Sequence, residues 1–132
     1  KEASGNMSQV VEIFQRCGDK IDIYSGEDGL IQPMMAMGGM GCISVISNIM
    51  PKETVALADM MFAGDFAGAA KLQCKLLPLI HSLFSEVNPI PIKAALHALG
   101  LCSDYARLPL TPMSPAAREH LLNCMREVDI QV

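Results

Sequence analysis

Helical and strand-like segments alternate through the first 64 residues, and short turns separate them. Apolar spacing predicts helices over residues 7–17, 29–37 and 52–63, and β-branched apolar runs predict strands over residues 21–24 and 42–46. Such alternation is typical of a parallel sheet with helical crossovers. Two parallel strands do not form a stable sheet alone, because both faces need covering and both edges are open. We therefore expect residues 1–64 to be the end of a larger α/β sheet, either doubly wound or closed into a barrel.

The strand signals stop at Asp65, and the rest of the chain is predicted to be all-helical. Apolar periodicity predicts helices over residues 66–85, 92–99 and 115–128, and proline-containing runs at 88–91 and 108–112 interrupt them. Capping residues agree with this pattern, since Asn6 precedes the first helix and Pro115 opens the last. The change in character near Gly64 predicts a domain boundary that divides the chain into residues 1–64 and 65–132.

Composition excludes several classes of protein. Hydrophobic residues make up 51% of the chain and charged residues 18%, which is unlike a disordered segment. A net charge of −4 argues against nucleic-acid and anionic-membrane partners, and no apolar run approaches the ~20 residues of a membrane span. Five scattered cysteines predict reduced thiols in a cytoplasmic protein, and three histidines without ligand-like spacing predict no metal site. The chain begins without methionine and without a leader pattern, so we expect an excerpt or a processed product rather than a signal peptide.

Two local features allow other interpretations. The glycines at 38, 39 and 41 are reminiscent of a phosphate-binding loop, but they precede a predicted strand instead of following one, so we reject that function. Glu27 and Asp28 place negative charge at the start of a predicted helix, and complementing that helix is the role we favour for Asp28. Asn48 is expected either to orient a loop or to cap the following helix.

Five segments, read together, carry a family resemblance. They are KEASGN at residues 1–6, IDIYSGED at 21–28, GGMGCISV at 38–45, NPIPIK at 88–93 and LPLTP at 108–112. In this order and spacing they closely resemble the C-terminal part of the dihydrodipicolinate synthase family, over essentially all 132 residues. The resemblance implies a (β/α)₈ TIM barrel, of which only the last strands and helices are present here, followed by a C-terminal all-helical domain.

The resemblance also implies an activity. Members of the family condense pyruvate with L-aspartate semialdehyde in lysine (diaminopimelate) biosynthesis, without a cofactor, through a lysine Schiff base, and Lys1 occupies the position of that lysine. A lysine amine attacks a ketone only in its neutral form, which desolvation or a cationic neighbour provides. From its position in the sequence alone, Lys1 would be interpreted as a solvated surface lysine, and the Schiff-base role comes from the resemblance.

Three further residues acquire roles from the resemblance. Gly26 is expected to line the pocket of the second substrate with Glu27 beside it, and a larger side chain at 26 is expected to hinder that substrate while leaving Lys1 untouched. The family usually has two aspartates where this chain has Glu27 and Asp28. The backbone of Ile43 is expected to bind pyruvate. The structural interpretations, a turn glycine at 26 and a barrel-core isoleucine at 43, are compatible with these roles.

The resemblance implies an assembly as well. Met7, Ser8 and Met37 correspond to places where two dimers meet, which predicts a homotetramer, and the N-terminal part of the same enzyme is the other expected partner. The related N-acetylneuraminate lyases and keto-deoxy sugar acid aldolases use the same Schiff base, but the segments at 25–28 and 88–91 favour the synthase. A non-catalytic helical assembly fragment is the alternative outside this class of enzymes.

Overall fold

Six α-helices account for most of the chain in a computed structural model that describes residues 1–132. They are α1 (Met7–Cys17), α2 (Ile31–Ala36), α3 (Pro51–Phe62), α4 (Phe66–Leu83), α5 (Ile90–Ala98) and α6 (Pro115–Glu127), and 3₁₀ turns lie at Asp28–Leu30 and Ile46–Asn48. All six predicted helices are confirmed, with ends that differ by a few residues. None of them combines the length and the apolar character needed to cross a bilayer. The chain divides into two compact units, Lys1–Cys74 and Lys75–Val132.

Helix α1 begins where the sequence predicts, because its N-cap is built by a side chain. The Asn6 carboxamide oxygen accepts hydrogen bonds from the N–H groups of Ser8 (3.0 Å) and Gln9 (3.3 Å), which have no partner inside the helix. On the inner face of α1, Val10 is buried in a cluster with Ile23 and Met34. The cap and the apolar stripe therefore fix both the start of α1 and the face that it buries.

A second apolar cluster joins α2, α3 and the first turns of α4. Its buried members are Ile31, Met35, Leu57, Met61 and Ala69. Because Ala69 lies in α4, the first unit includes the beginning of that helix and ends at Cys74, within it. The boundary near Gly64 between a barrel part and a helical domain stays a prediction.

The two predicted strands do not form as extended strands. The structure has only isolated parallel bridges, between Glu2 and Ser25 and between Ser25 and Cys42. Each segment contributes a single bridged residue, and a 3₁₀ turn follows within four positions: Asp28 starts one turn, and Ile46, predicted to end the second strand, starts the other. The prediction of extended strands at 21–24 and 42–46 is therefore wrong, although both segments belong to a parallel arrangement.

The second unit contains helices and no strand, as predicted. Helices α5 and α6 pack against each other, and the side chains of Ala95, Leu121 and Met125 are fully buried. Pro115 occupies the first turn of α6 as expected, whereas the Ser114 side chain does not cap that helix. Its hydroxyl instead donates to the Glu86 carboxylate (2.6 Å), which also accepts the Ser114 N–H (3.1 Å).

Candidate active site

Three chain segments lie side by side in parallel around Ser25. On one side the Glu2 N–H donates to the Tyr24 carbonyl (2.9 Å), and the Gly26 N–H donates to the Glu2 carbonyl (2.7 Å). This is the hydrogen-bond pattern of a parallel ladder, in which one residue bonds to the two neighbours of its partner. Glu2 and Ser25 are thus in register.

The third segment continues the same pattern on the other side of Ser25. The Ser25 N–H donates to the Gly41 carbonyl (2.9 Å), and the Ile43 N–H donates to the Ser25 carbonyl (2.7 Å), which pairs Ser25 with Cys42. Ser25 is consequently bonded on both sides and is itself buried.

This register decides which residues share a face. Side chains of paired residues in a parallel array point to one face, and those of the adjacent residues point to the other. Lys1 precedes Glu2, Gly26 follows Ser25 and Ile43 follows Cys42, so all three lie on the face opposite to the paired residues. The structure therefore brings together the predicted Schiff-base lysine and two of the three predicted substrate-binding residues.

The Lys1 side chain lies directly over Gly26. A Cβ atom at position 26 would lie 2.8 Å from Lys1 Cγ and 2.9 Å from Ala3 Cβ, and it would collide with Lys1 Cε. These distances are well below ordinary carbon–carbon contact of about 3.5–4.0 Å. The expectation that a larger side chain at 26 leaves Lys1 untouched is therefore wrong: the space that glycine opens is occupied by the lysine itself.

Ile43 has a backbone carbonyl that accepts no hydrogen bond in the structure. Its N–H is already bonded to Ser25, so the carbonyl is the polar backbone group that remains free to bind a ligand. Ile43 is 52% exposed in the chain described here, and the prediction of a barrel-core isoleucine stays a prediction.

Glu27 and Asp28 have different surroundings. The Glu27 carboxylate accepts the Gly29 N–H (3.3 Å) and caps the 3₁₀ turn, so this half-buried side chain has a local structural partner. Asp28 is 1% exposed, and its Oδ2 accepts the N–H groups of Val45 (2.9 Å) and Ile46 (2.8 Å). Asp28 thus complements the start of the 3₁₀ turn at Ile46–Asn48 rather than its own helix, which corrects the role that the sequence favoured.

Gln73 of α4 was not singled out by the sequence, yet it belongs to the same buried network. Its amide nitrogen donates to the Asp28 carbonyl (3.0 Å), and its amide oxygen accepts the Gln32 N–H (3.3 Å). These partners are separated from Gln73 by more than forty positions along the chain. The only sign of this contact in the sequence is that Gln73 interrupts an apolar stripe of its helix.

Other candidate groups have ordinary structural surroundings. Asn48 does not cap α3, since its side chain donates to the Val45 carbonyl (2.9 Å). Burial, with the negative charge of Asp28 adding to it, raises the pKa of the Cys42 thiol, and burial likewise raises the pKa of Cys124. No group of three or more histidine, cysteine, aspartate or glutamate residues is arranged to hold a metal ion.

The structure also contains a largely apolar cavity of about 340 Å³ between the 40–47 segment and α3. Tyr24, Cys42, Thr54 and Val55 are among the residues that line it. None of Lys1, Gly26, Glu27 and Ile43 contributes to its wall, so the cavity is separate from the candidate active site.

Lys1, Gly26 and Ile43 thus share one face of three parallel segments that are joined to helices, an arrangement typical of the α/β class. Comparison with known proteins shows the family. A family model described as the dihydrodipicolinate synthetase family matches residues 1–128, and the chain belongs to this family.

Individual relatives agree with this assignment. The chain is 47% identical over 127 residues to 4-hydroxy-tetrahydrodipicolinate synthase of Geotalea daltonii, an alignment that covers 96% of the chain and 44% of that relative. Among solved structures, dihydrodipicolinate synthase from Aquifex aeolicus matches with a TM-score of 0.94 and 41% identity, covering 98% of this chain and 44% of that one. The enzyme from Acinetobacter baumannii, complexed with pyruvate, matches with a TM-score of 0.94 and 37% identity, covering 99% and 45%. The chain therefore spans less than half the length of these relatives.

Proposed function

We propose that this chain is part of a 4-hydroxy-tetrahydrodipicolinate synthase that condenses pyruvate with L-aspartate semialdehyde in lysine biosynthesis. The observation that carries the proposal is the Lys1 side chain packed over Gly26, on the same face as Ile43. The relative from Geotalea daltonii carries the name of this synthase, and the related structure from Acinetobacter baumannii is described as a pyruvate complex. The synthase names of both relatives favour this activity over N-acetylneuraminate lyases and keto-deoxy sugar acid aldolases, and over a non-catalytic assembly fragment.

In the proposed reaction the neutral Lys1 Nζ attacks the ketone carbon of pyruvate. The carbonyl oxygen leaves as water, and a protonated C=N bond joins the lysine to the substrate. This iminium withdraws electrons from the adjacent methyl group, which loses a proton and gives an enamine. The enamine carbon then forms the new C–C bond with the aldehyde carbon of the second substrate. Release of the product requires a second amine to displace Lys1, and the semialdehyde carries one.

The neighbouring groups have distinct proposed roles. The free Ile43 carbonyl binds and orients pyruvate beside the lysine, and it does so whatever the side chain at 43. Gly26 keeps the path of the Lys1 side chain open and lets the second substrate approach the backbone. Glu27 lies next to Gly26 and borders that second site.

We further propose that the three parallel segments are consecutive strands of a (β/α)₈ barrel completed by the N-terminal part of the same enzyme. The N–H and carbonyl groups of Cys42 face away from Ser25, which leaves that edge able to pair with another strand. Closing a barrel desolvates its mouth and thereby supplies the environment that an uncharged lysine needs.

The proposed assembly is a cytoplasmic homotetramer in which two dimers meet at α1 and the end of α2. Ser8 and Met37 are exposed and Met7 is half-buried, so side chains at these three positions are accessible to a partner copy. Neighbouring Met34 and Met35 are buried in the two apolar clusters of the first unit and are therefore core residues.

Borohydride reduction in the presence of pyruvate tests the function in the complete protein that contains this chain. We expect a reduced pyruvate adduct on the Nζ of Lys1, located by peptide mass mapping. Lys1→Ala should lose the adduct, whereas Lys93→Ala, a lysine of α5, should keep it. An adduct on Lys52 or Lys93 in the wild type would refute the assignment. Turnover with a neuraminate or keto-deoxy sugar acid but not with aspartate semialdehyde would select a related aldolase.

A further inference from the structure

Asp28 is the least exposed charged side chain of the first unit, and the proposed reaction assigns it no role. It is 1% exposed, and its Oδ1 is buried without any hydrogen-bond partner. A buried carboxylate with an unpaired oxygen costs free energy that a neutral side chain at the same place would not cost. Features that oppose stability in this way tend to occur where function requires them. The contacts of Oδ2 show what Asp28 does.

Those contacts fix the backbone on the C-terminal side of Ile43. Oδ2 accepts two N–H groups at once, from Val45 (2.9 Å) and Ile46 (2.8 Å), and hydrogen bonds to a charged acceptor are about twice as strong as neutral ones. On the N-terminal side, the Ile43 N–H is bonded to the Ser25 carbonyl (2.7 Å). The backbone at Ile43 is therefore anchored on both sides by the single segment 25–28.

That segment is itself held in place by further hydrogen bonds. The Ser25 hydroxyl donates to the Glu27 carbonyl (2.8 Å) and accepts the Glu27 N–H (3.3 Å), and Gln73 donates to the Asp28 carbonyl (3.0 Å). Gly26, over which Lys1 packs, lies in the same segment. The position of Lys1 and the position of the Ile43 carbonyl are thus set by one short piece of chain.

We propose that Asp28 is a positioning residue that holds the Ile43 carbonyl at the distance from Lys1 that pyruvate binding requires. The inference rests on the proposed function, because it takes Ile43 as part of the pyruvate site. Asp28 does not touch the substrate: it acts through the N–H groups of Val45 and Ile46. Its loss therefore weakens pyruvate binding more than it slows the chemical steps at saturating pyruvate.

The test compares Asp28→Ala and Asp28→Asn in the complete enzyme. Asp28→Ala removes the acceptor, and we expect the KM for pyruvate to rise about tenfold, equivalent to about 1.4 kcal/mol. The value of kcat should stay within about twofold, and the KM for aspartate semialdehyde should change less. Asp28→Asn retains an oxygen that accepts both N–H groups, so its pyruvate KM should lie between those of the wild type and Asp28→Ala.

Thr54→Val is the matched control, since it deletes another buried hydrogen bond of the first unit, from the Thr54 hydroxyl to the Met50 carbonyl (2.8 Å), without touching Asp28. Amide hydrogen exchange at Val45 and Ile46 provides a readout that does not depend on activity. Exchange at these two amides should accelerate in Asp28→Ala and remain slow in Thr54→Val. If Asp28→Ala fails to fold, the same two measurements on Asp28→Asn decide the question.

Two results would overturn the proposal. One is faster exchange at Val45 and Ile46 with an unchanged pyruvate KM, which would make Asp28 purely structural. The other is a Thr54→Val variant that raises the pyruvate KM as much as Asp28→Ala at an equal loss of Tm. If the wild-type enzyme forms no iminium on Lys1, the proposed function is refuted as well. If the iminium forms normally and Asp28→Ala has the pyruvate KM of the wild type, only the role of Asp28 is refuted.

Discussion

Gly26→Ala adds one methyl group at the point where the Lys1 side chain crosses the neighbouring segment. The new Cβ would lie 2.8 Å from Lys1 Cγ and 2.9 Å from Ala3 Cβ, both well inside ordinary contact distance. Overpacking of this kind costs about 1–3 kcal/mol. The Lys1 side chain has several rotatable bonds and can turn away from the new methyl group, so part of the penalty falls on the reactive orientation of the lysine. The population of that orientation should fall by about five- to 150-fold.

The rate of iminium formation measures this population directly. We expect the pseudo-first-order rate of borohydride inactivation with limiting pyruvate to fall by the same factor in the complete enzyme. Ala3→Gly in the Gly26→Ala background removes one contact but not the contact with Lys1, and it should not restore trapping.

Gly39→Ala is the control variant, and we expect it to change stability rather than the rate of iminium formation. A Cβ at position 39 would lie 2.8 Å from the Met34 carbonyl oxygen, a backbone atom that cannot swing away. This variant should lower Tm while its iminium forms at the wild-type rate in the fraction that is folded. Trapping by Gly26→Ala at the wild-type rate would refute the argument that glycine is needed to make room for the lysine.

Two further outcomes follow from the hydrogen bonds and burial. Asn6→Ala removes the cap of α1 and should reduce the free energy of unfolding by about 1 kcal/mol, measured by urea denaturation, whereas Gln15→Ala on the exposed side of α1 should change it by less than about 0.5 kcal/mol. Burial raises the pKa of the Cys42 and Cys124 thiols, so a smaller fraction of each is thiolate near neutral pH. Iodoacetamide should therefore modify both cysteines more slowly than the exposed Cys74. The rates of modification of Cys42 and Cys124 should increase as the pH is raised. Equal rates at neutral pH would contradict the second prediction.

The helices were predictable because their signals are local. An asparagine cap, apolar spacing and a proline in the first turn act within a few residues, and α1 and α6 accordingly begin where these signals place them. The extended strands were not predictable, since the length of a strand depends on partners elsewhere in the chain. The second segment ends in a 3₁₀ turn whose first N–H groups donate to the carboxylate of Asp28, seventeen positions away from Val45.

The candidate site, like the fold, was predictable only in part. The resemblance singled out Lys1, Gly26, Glu27 and Ile43, and the register of the parallel segments places Lys1, Gly26 and Ile43 on one face. The sequence contained no sign that the space above Gly26 is filled by Lys1, because that fact depends on the distance between two segments. The roles of these residues in catalysis stay predictions until adducts and kinetics are measured.

The pairing of Ser25 on both sides restricts how the gene for this protein can change. A shift of one residue in either ladder would move a whole segment to the opposite face, because side chains alternate with a period of two. An inserted or deleted codon within residues 23–26 or 40–43 would therefore turn Gly26 or Ile43 away from Lys1. Length changes can accumulate only in the turns outside these pairs, such as the one that follows α1 at Gly18, where added residues leave both bridges intact. The register of these three segments therefore tolerates the replacement of a side chain better than a change in segment length.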